Sequence, residues 1–584
     1  MKVSDYIAKF IEEQNCRYIF GYIGGAITHL VDSISKNDKL TFIQVYHEQT
    51  ASFAAEGFSR GCDSIGVAMA TSGPGATNLI TGIADAFFDS LPVVFITGQV
   101  NTYEYKYNKP IRQQGFQETD IISIVKPVTK YAVFVDKKEN IRYELEKAYS
   151  IAKSGRPGPV LIDIPMDIQR SEIDADDLIQ YKPEVKIDSA AKPDINIIQK
   201  YLNESKRPII LSGGGVLSGK ANDSLYSFSK KFGIPVVVSL MGKGSFPEDD
   251  DLFAGMIGSY GNRCANIVLS NSDLVFAVGT RLDTRQTGTR IDEFMRKGKI
   301  IHVDIDEFEI LHNRVERDYA VSMDSKLFFD SLIDNINENY NTSSDWIEYV
   351  HDIKSRYNQK KEIELNVNVK TPYKVMEMLS RYADDNAAFC VDIGQNQMFA
   401  AQSLVIKKDQ NFYTSGGMAP MGYAIPAAIG ISFACNNTRS IIAIAGDGGF
   451  HISTQSLMLL SQYNLPVKVV VLNNKSLGMI VQFQDLYFNH NEAATTKRSG
   501  YFVPDIKLLS ASYDIEYIAI TDSTVNDEEL WKDILLSKKP MVIEVIIDSK
   551  TVVSPKLEVN TTLEDLSPKI SAEEMGKIMI KDKF

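Results

Sequence analysis

The chain has 584 residues, 44% hydrophobic and 23% charged, and its 62 Lys and Arg against 75 Asp and Glu give a formal net charge of −13. That composition excludes a disordered or low-complexity chain, and at about 150 residues per domain the length predicts roughly three to four folded units. The acidic balance, with no Lys/Arg cluster, argues against nucleic acid or anionic membrane as the main partner, because phosphate-rich surfaces are bound by clustered cations.

The N-terminal stretch MKVSDYIAKFIEEQ places Val3, Tyr6, Ile7, Phe10 and Ile11 at helical spacing, with charges inside it and none of the apolar run of a signal peptide. YIFGYIGG reads as a strand entering a glycine turn, and HEQTASFAAEGFSRG as an alanine-rich helix. SIGVAMATSGPG, LPVVFITGQ and GPVLIDIP are continuous apolar runs closed by Gly or Pro, as expected of buried parallel strands. The polar stretch SEIDADDLIQYKPEVKIDSAAKPD reads as a linker. RPIILSGGGV, IPVVVSLMGKG, SDLVFAVGTRLD and GKIIHVDID supply four strand candidates of a second unit, which ends in SRYNQKKEIELN. AAFCVDIG, RSIIAIAGDGG, PVKVVVLNN and PMVIEVII supply four more in a third unit. The spacing predicts an α/β chain of three doubly wound parallel-sheet domains, over residues 1–185, 186–355 and 356–584. No short-period repeat is evident. The five cysteines, Cys16, Cys62, Cys264, Cys390 and Cys435, form no C-x-x-C pair. Reduced thiols and a cytoplasmic location are the expectation, and no run reaches the roughly 18 apolar residues of a membrane span.

In the third unit one strand candidate ends in Gly446, Asp447 and Gly448, and after a gap of 24 residues another ends in Asn473 and Asn474. The carboxyl ends of neighbouring parallel strands open onto one crevice, so Asp447 and Asn474 can converge on one ligand. A carboxylate, an amide oxygen and a backbone carbonyl make a hard oxygen set suited to Mg²⁺ or Ca²⁺, with the remaining positions of Mg²⁺ left for water and phosphate oxygens. A diphosphate held through a metal is the physical reading. A lone GDG turn is more often only structural.

The GDG and NN pair at this spacing resembles the thiamin-diphosphate motif. YIGGAI, HEQTASFAAEGFSR, SGPGATNLITGIADA, FQETDI, GRPGPVLIDIP, IHVDID, SGGMAPMGYAIPAAIG and QYNLPVKVVVLNNKSLGM resemble the acetolactate synthase large subunit over essentially the whole chain. The resemblance implies a pyrimidine-binding first domain, a central domain and a diphosphate-binding third domain. It also implies a homodimer or tetramer with active sites shared between subunits, and leaves a separate regulatory subunit open. Asp447, Asn474 and the carbonyl of Ser476 are implied to hold Mg²⁺. Gly394, Gln395, Gly448 and Gly449 are implied at the diphosphate, Gly446 and Met479 elsewhere in the cofactor site, Met421 as an apolar wedge under the bent cofactor, and the Ala419 carbonyl as acceptor for the aminopyrimidine. Glu48 is implied to bond the pyrimidine ring nitrogen, with Gly25, Phe116 and Gln117 lining the reacting 2-oxoacid. Glu56, further along the same helix, reads as a surface residue. In the second domain Gly213, Gly214, Gly215, Leu240, Gly255, Met256, Gly279, Arg281, Asp283, Arg285, Asp304 and Ile305 fall in segments resembling those that hold FAD in the synthases, and glycine loops with Arg suit a dinucleotide diphosphate.

Decarboxylases of the pyruvate-to-aldehyde type use a His-His pair, and no two of the seven histidines are adjacent. The expected activity is therefore decarboxylation of pyruvate with transfer of the two-carbon unit to a carbonyl acceptor. The departures lie on the substrate side. Ile23 replaces a Pro, Gln482-Phe483 stands where the synthases have Gln-Trp, GTRLDTR replaces R-F-D-D-R, and TTLEDLSPKIS is an unusual tail. Phe for Trp removes an indole N–H and opens volume. These changes resemble the flavoenzymes that transfer the acetyl unit of pyruvate to a nucleotide-linked keto-sugar, the alternative reading. A flavin-linked 2-oxoacid oxidase shares the same cofactor residues.

Overall fold

The computed structural model describes residues 1–62, 64–183, 192–296 and 298–580. In the first sheet β1 (Tyr18–Tyr22), β2 (Thr41–Gln44), β3 (Gly66–Ala70), β4 (Val93–Gln99), β5 (Tyr131–Phe134) and β6 (Val160–Pro165) lie in the order 2-1-3-4-6-5. The second contains β7 (Pro208–Ser212), β8 (Val236–Val238), β9 (Phe253–Met256), β10 (Leu274–Val278), β11 (Lys299–Asp304) and β12 (Tyr319–Ser322) in the order 12-11-10-7-8-9. The third contains β13 (Ala388–Val391), β14 (Asn411–Thr414), β15 (Ile441–Gly446), β16 (Val467–Asn473), β17 (Glu516–Ile520) and β18 (Met541–Ile546) in the order 14-13-15-16-18-17, the same succession as the first. All pairings are parallel.

The apolar runs expected from the sequence are the inner strands. Each sheet adds an edge strand on either side, β2 and β5, β9 and β12, β14 and β17, which the sequence reading did not anticipate. Most of these are short and half-exposed, so they carry no continuous apolar run. The domain boundary expected at 185 lies outside the described residues. The one at 355 falls at the end of helix Ser344–Arg356, whose Trp346, Val350 and Ile353 share a core with Ile209 and Leu211 of β7.

The first and third sheets meet through helices Glu48–Gly61 and Ala424–Ala434, which share one apolar core. A Cβ on Gly57 would lie 2.1 Å from the Ala427 carbonyl oxygen, and one on Gly430 would lie 1.9 Å from that of Ala54. The crossing is thus backbone against backbone, with each helix presenting a glycine to the other. It also corrects the expectation for Glu56, which is fully buried rather than on the surface. Helix Glu48–Gly61 is covered on both sides, so its polar positions face other protein. Burial, with the Asp85 charge adding to it, raises the Glu56 carboxyl well above the usual range.

The chain's last segment returns to the central domain. Arg263, buried, pairs with Glu362 at 2.9 Å and donates to the carbonyls of Leu566 and Pro568. Among the described residues no helix is long and apolar enough to cross a membrane.

Gly430→Ala must push two helices apart and is expected to cost about 3 kcal/mol or more. Gly576→Ala, in helix Ala572–Ile578 with open space around it, should instead stabilise by about 0.5–1 kcal/mol. Thermal melts of the two variants check this, and a Gly430→Ala protein melting with the wild type contradicts the close crossing.

Candidate active site

Where the winding of such a sheet first crosses back over its starting strand, the carboxyl ends of two adjacent strands leave a crevice in which ligands of such folds bind. The points lie between β1 and β3, between β10 and β7, and between β13 and β15. The expected site residues gather at all three.

Beside the third-sheet point, β15 runs in register with β16, Gly446 opposite Leu472, so Asp447 and Asn474 emerge side by side. Asp447 is 2% exposed; its Oδ1 accepts from Gly448 N (2.7 Å) and from the Tyr501 hydroxyl (2.8 Å), while Oδ2 is buried with no hydrogen-bond partner. Burial pushes this carboxyl up to about 6, against the pull of Tyr501 and of the Gly448, Lys475 and Ser476 N–H groups. Asn474 donates to Gln395 Oε1 (3.1 Å) and accepts from Ser476 N (3.2 Å). The orphaned carboxylate oxygen beside an amide oxygen and the Ser476 backbone is a donor set that fits Mg²⁺. Gly394, with φ +121°, caps helix Gln395–Ser403, whose N-terminal N–H groups suit a diphosphate. A Cβ on Gly448 would meet the Met421 Cε methyl at 2.7 Å, so Met421 lies directly over the acidic turn. Ala419 holds the left-handed φ of +58°, and the Met479 sulfur accepts from the Tyr260 hydroxyl (3.4 Å).

Two residues here escaped sequence reasoning. Asp392, at the end of β13, accepts from the N–H groups of Ile393 (2.9 Å), Gly422 (3.0 Å) and Ala424 (2.9 Å), and its Oδ1 would lie 2.5 Å from a Cβ on Gly449. It therefore ties the Met421 loop to the acidic turn. The signal was the aspartate closing AAFCVDIG. Tyr501 lies in a stretch with no periodicity, and no sequence signal points to it.

Near the first-sheet point, after edge strand β2, Glu48 opens helix Glu48–Gly61 behind His47, whose Nδ1 accepts from Gln49 N (3.1 Å). Glu48 is 7% exposed and its Oε2 accepts from Asn78 Nδ2 (2.9 Å). A Cβ on Gly75 would lie 3.2 Å from Oε1, while Gly25 has open space around it. Gln117, with φ +64°, packs against Gly73, and Phe116 beside it is 87% exposed. Among the described residues no hydrogen bond joins Glu48 to Asp447, Asn474, Ala419 or Met421.

The second-sheet point opens into a cavity of about 780 Å³. Gly214, Gly215, Leu240, Met256, Gly279, Arg281, Asp283, Arg285, Asp304 and Ile305 line it, together with Arg60 and Arg156 of the first domain and Phe412 and Gly416 of the third. Asp283 caps helix Thr284–Thr287, and burial pushes Asp304 up to about 6. Gly213 and Gly255 are not in the lining. A Cβ on Gly213 would sit 2.1 Å from the Gly279 carbonyl oxygen, and one on Gly255, at φ +116°, 2.9 Å from Asn262 Oδ1.

Family models match all three units: thiamine pyrophosphate enzyme, N-terminal TPP binding domain, over residues 1–124; the central domain over 195–332; and the C-terminal TPP binding domain over 392–545. The chain is 37% identical to the probable acetolactate synthase large subunit of Methanocaldococcus jannaschii over 567 residues, covering 94% of this chain and 92% of that protein. It is 35% identical to the acetolactate synthase large subunit of Corynebacterium glutamicum over 570 residues, 96% and 89% of the two chains, and 33% identical to that of Lactococcus lactis over 557 residues, 95% and 94%. With three parallel sheets in series, an acidic turn at the third-sheet switch point and Asn474 on the next strand, the chain belongs to the thiamine pyrophosphate enzymes of the acetolactate synthase large-subunit family.

Proposed function

We propose that this enzyme uses thiamin diphosphate and Mg²⁺ to decarboxylate pyruvate and transfer the two-carbon unit to a carbonyl acceptor, giving 2-acetolactate when the acceptor is a second pyruvate. The observation that carries the reading is the buried, unpartnered Asp447 oxygen facing Asn474 and the Gln395–Ser403 helix N-terminus beneath Met421. When bound, the cofactor supplies the electron sink for decarboxylation. Asp447, Asn474 and the Ser476 carbonyl would hold Mg²⁺, and Gly394, Gln395, Gly448 and Gly449 give it close backbone access to the diphosphate. The Ala419 carbonyl would accept from the aminopyrimidine, Met421 would support the ring face, and Glu48 would hold a proton at the pyrimidine nitrogen.

Glu48 would come from a second copy of the chain; the lack, among the described residues, of any hydrogen bond from it to Asp447, Asn474, Ala419 or Met421 supports this. The exposed apolar residues Ile23, Phe116, Phe488 and Phe502 around the two halves support a homodimer. The central cavity supports FAD, with Arg281 and Arg285 available to its diphosphate. Divisions near 185 and 355 would separate the three units. The lack of a disulfide among the described residues supports a cytoplasmic location. A second reading, with a keto-sugar acceptor, is favoured by one feature. Gln482 is bonded to both backbone groups of Val553, at 3.0 Å each, which leaves the exposed ring cluster of Phe483, Tyr487 and Phe488 as the free face of that helix.

Incubation with pyruvate, Mg²⁺ and thiamin diphosphate is expected to release CO₂ and form 2-acetolactate, read by mass analysis. Release only on addition of a keto-sugar favours the second reading, and no release under either condition rejects a pyruvate donor. Glu48→Gln is expected to lower turnover by about 100-fold or more while calorimetric binding of thiamin diphosphate stays near wild type; an active Gln variant contradicts its role. Removing Mg²⁺ with EDTA should abolish thiamin diphosphate binding, and binding that survives chelation removes the metal from the account. A purified protein without flavin absorbance that takes up no added FAD rejects the flavin assignment.

A further inference from the structure

The loop that carries Ala419 and Met421 belongs to the third domain, yet its polar anchors come from the first. Helix Ile80–Phe88, with Asp89 at its C-cap, turns two carboxylates one helical turn apart toward residues 414–419. Asp85 accepts from the Ser415 hydroxyl at 2.5 Å. Asp89 accepts from the N–H groups of Gly417 (2.8 Å) and Gly416 (3.2 Å) and from Arg60 Nη2 (2.9 Å), and the same guanidinium nitrogen donates to the Thr414 carbonyl (3.1 Å). Ser415 Oγ in turn accepts from Ala419 N (3.0 Å), the residue at φ +58°. Asp85 and Ser415 are fully buried and the Asp89 side chain is 1% exposed, so no solvent competes for these bonds.

We infer that Asp85, acting through the Ser415 hydroxyl, is a positioning residue that fixes the Ala419 carbonyl for pyrimidine recognition, with Asp89 and Arg60 holding the adjoining backbone. A left-handed alanine costs about 1 kcal/mol or more and persists only where its surroundings over-determine it. Here one hydroxyl oxygen meets both the N–H of that residue and the carboxylate of a different domain. The metal ligands Asp447 and Asn474 lie on other loops and take no part, so the device acts on one end of the ligand only. Burial raises the Asp85 carboxyl to about 7, with Asp89 adding to the shift, consistent with a group enclosed among Glu56, Asp89, Arg60 and Tyr423 rather than one facing water. The inference rests on the proposed reading that residues 415–421 meet the aminopyrimidine.

Calorimetric titration of the full-length protein with thiamin diphosphate and, separately, with inorganic pyrophosphate, both with Mg²⁺, tests it. Ser415→Ala and Asp85→Ala are each expected to weaken thiamin diphosphate binding about 10-fold, with the double variant no weaker than the worse single. Pyrophosphate binding should stay within about 2-fold in all of them, and Asp85→Asn, which keeps an acceptor for Ser415, should restore the wild-type affinity to within about 3-fold. Wild-type affinity in Ser415→Ala, a parallel loss of pyrophosphate binding, or additive losses in the double variant would overturn the clamp. A wild-type protein that binds pyrophosphate but not thiamin diphosphate overturns the reading of the site on which the clamp rests.

Discussion

Helices Glu48–Gly61 and Ala424–Ala434 cross with Gly57 against the Ala427 carbonyl and Gly430 against that of Ala54, and this contact fixes both working ends of the chain. Glu48 stands at the N-terminus of the first helix, and the loop bearing Ala419 and Met421 runs directly into the second. Because no side chain separates the backbones, neither helix can slide without steric overlap. The buried carboxyls of Glu56, Asp85 and Asp89 around Arg60 sit beside the same crossing. Such charges are weak evidence for stability, since desolvation offsets much of their attraction. The bonds of Asp85 and Asp89 tie residues 415–417 of the Met421 loop to the first domain.

The remaining architecture follows from parallel winding. Each sheet has a switch point beside its first strand, and each such place carries polar groups that lack a partner or a glycine that lets backbone approach. The first and third sheets repeat the same strand succession but were given different tools. One ends in a glutamate on a helix start and the other in an acidic turn with an asparagine beside it. The central sheet, wound in another order, provides the large cavity between the two, walled by arginines from two domains.

The inner strands were legible because both faces are covered, so IIAIAG carries no polar side chain and VKVVVLN only those of Lys468 and Asn473. The edges were not: TFIQ, YAVF and EYIAI are short and half-solvated, and FAGM is buried but interrupted by a glycine at φ +116°. Asp447 and Asn474 were legible from the turn and spacing, since consecutive strands deliver them to one edge. Glu56 was misread because amphipathic spacing reports which face of a helix is apolar and is silent on whether the polar face is covered by another domain. The bonds of Asp85 and Asp89 to residues more than 300 positions away have no local signature, and Tyr501 reaches Asp447 from an aperiodic segment. Such contacts depend on how domains dock, which local pattern does not encode.

The central claim is that a working site takes Glu48 from one copy and Asp447 from another. In a two-fold dimer, a mixed pair of Glu48→Gln and Asp447→Ala chains holds one doubly altered site and one with both residues intact. The direct measurement is therefore pyruvate turnover after the two inactive variants are unfolded together and refolded as a mixture. The account predicts recovery of roughly a quarter of wild-type activity, the statistical share of intact sites when subunits pair at random. A mixture that forms mixed dimers yet stays as inactive as its components would contradict it, placing both residues of each site within a single chain.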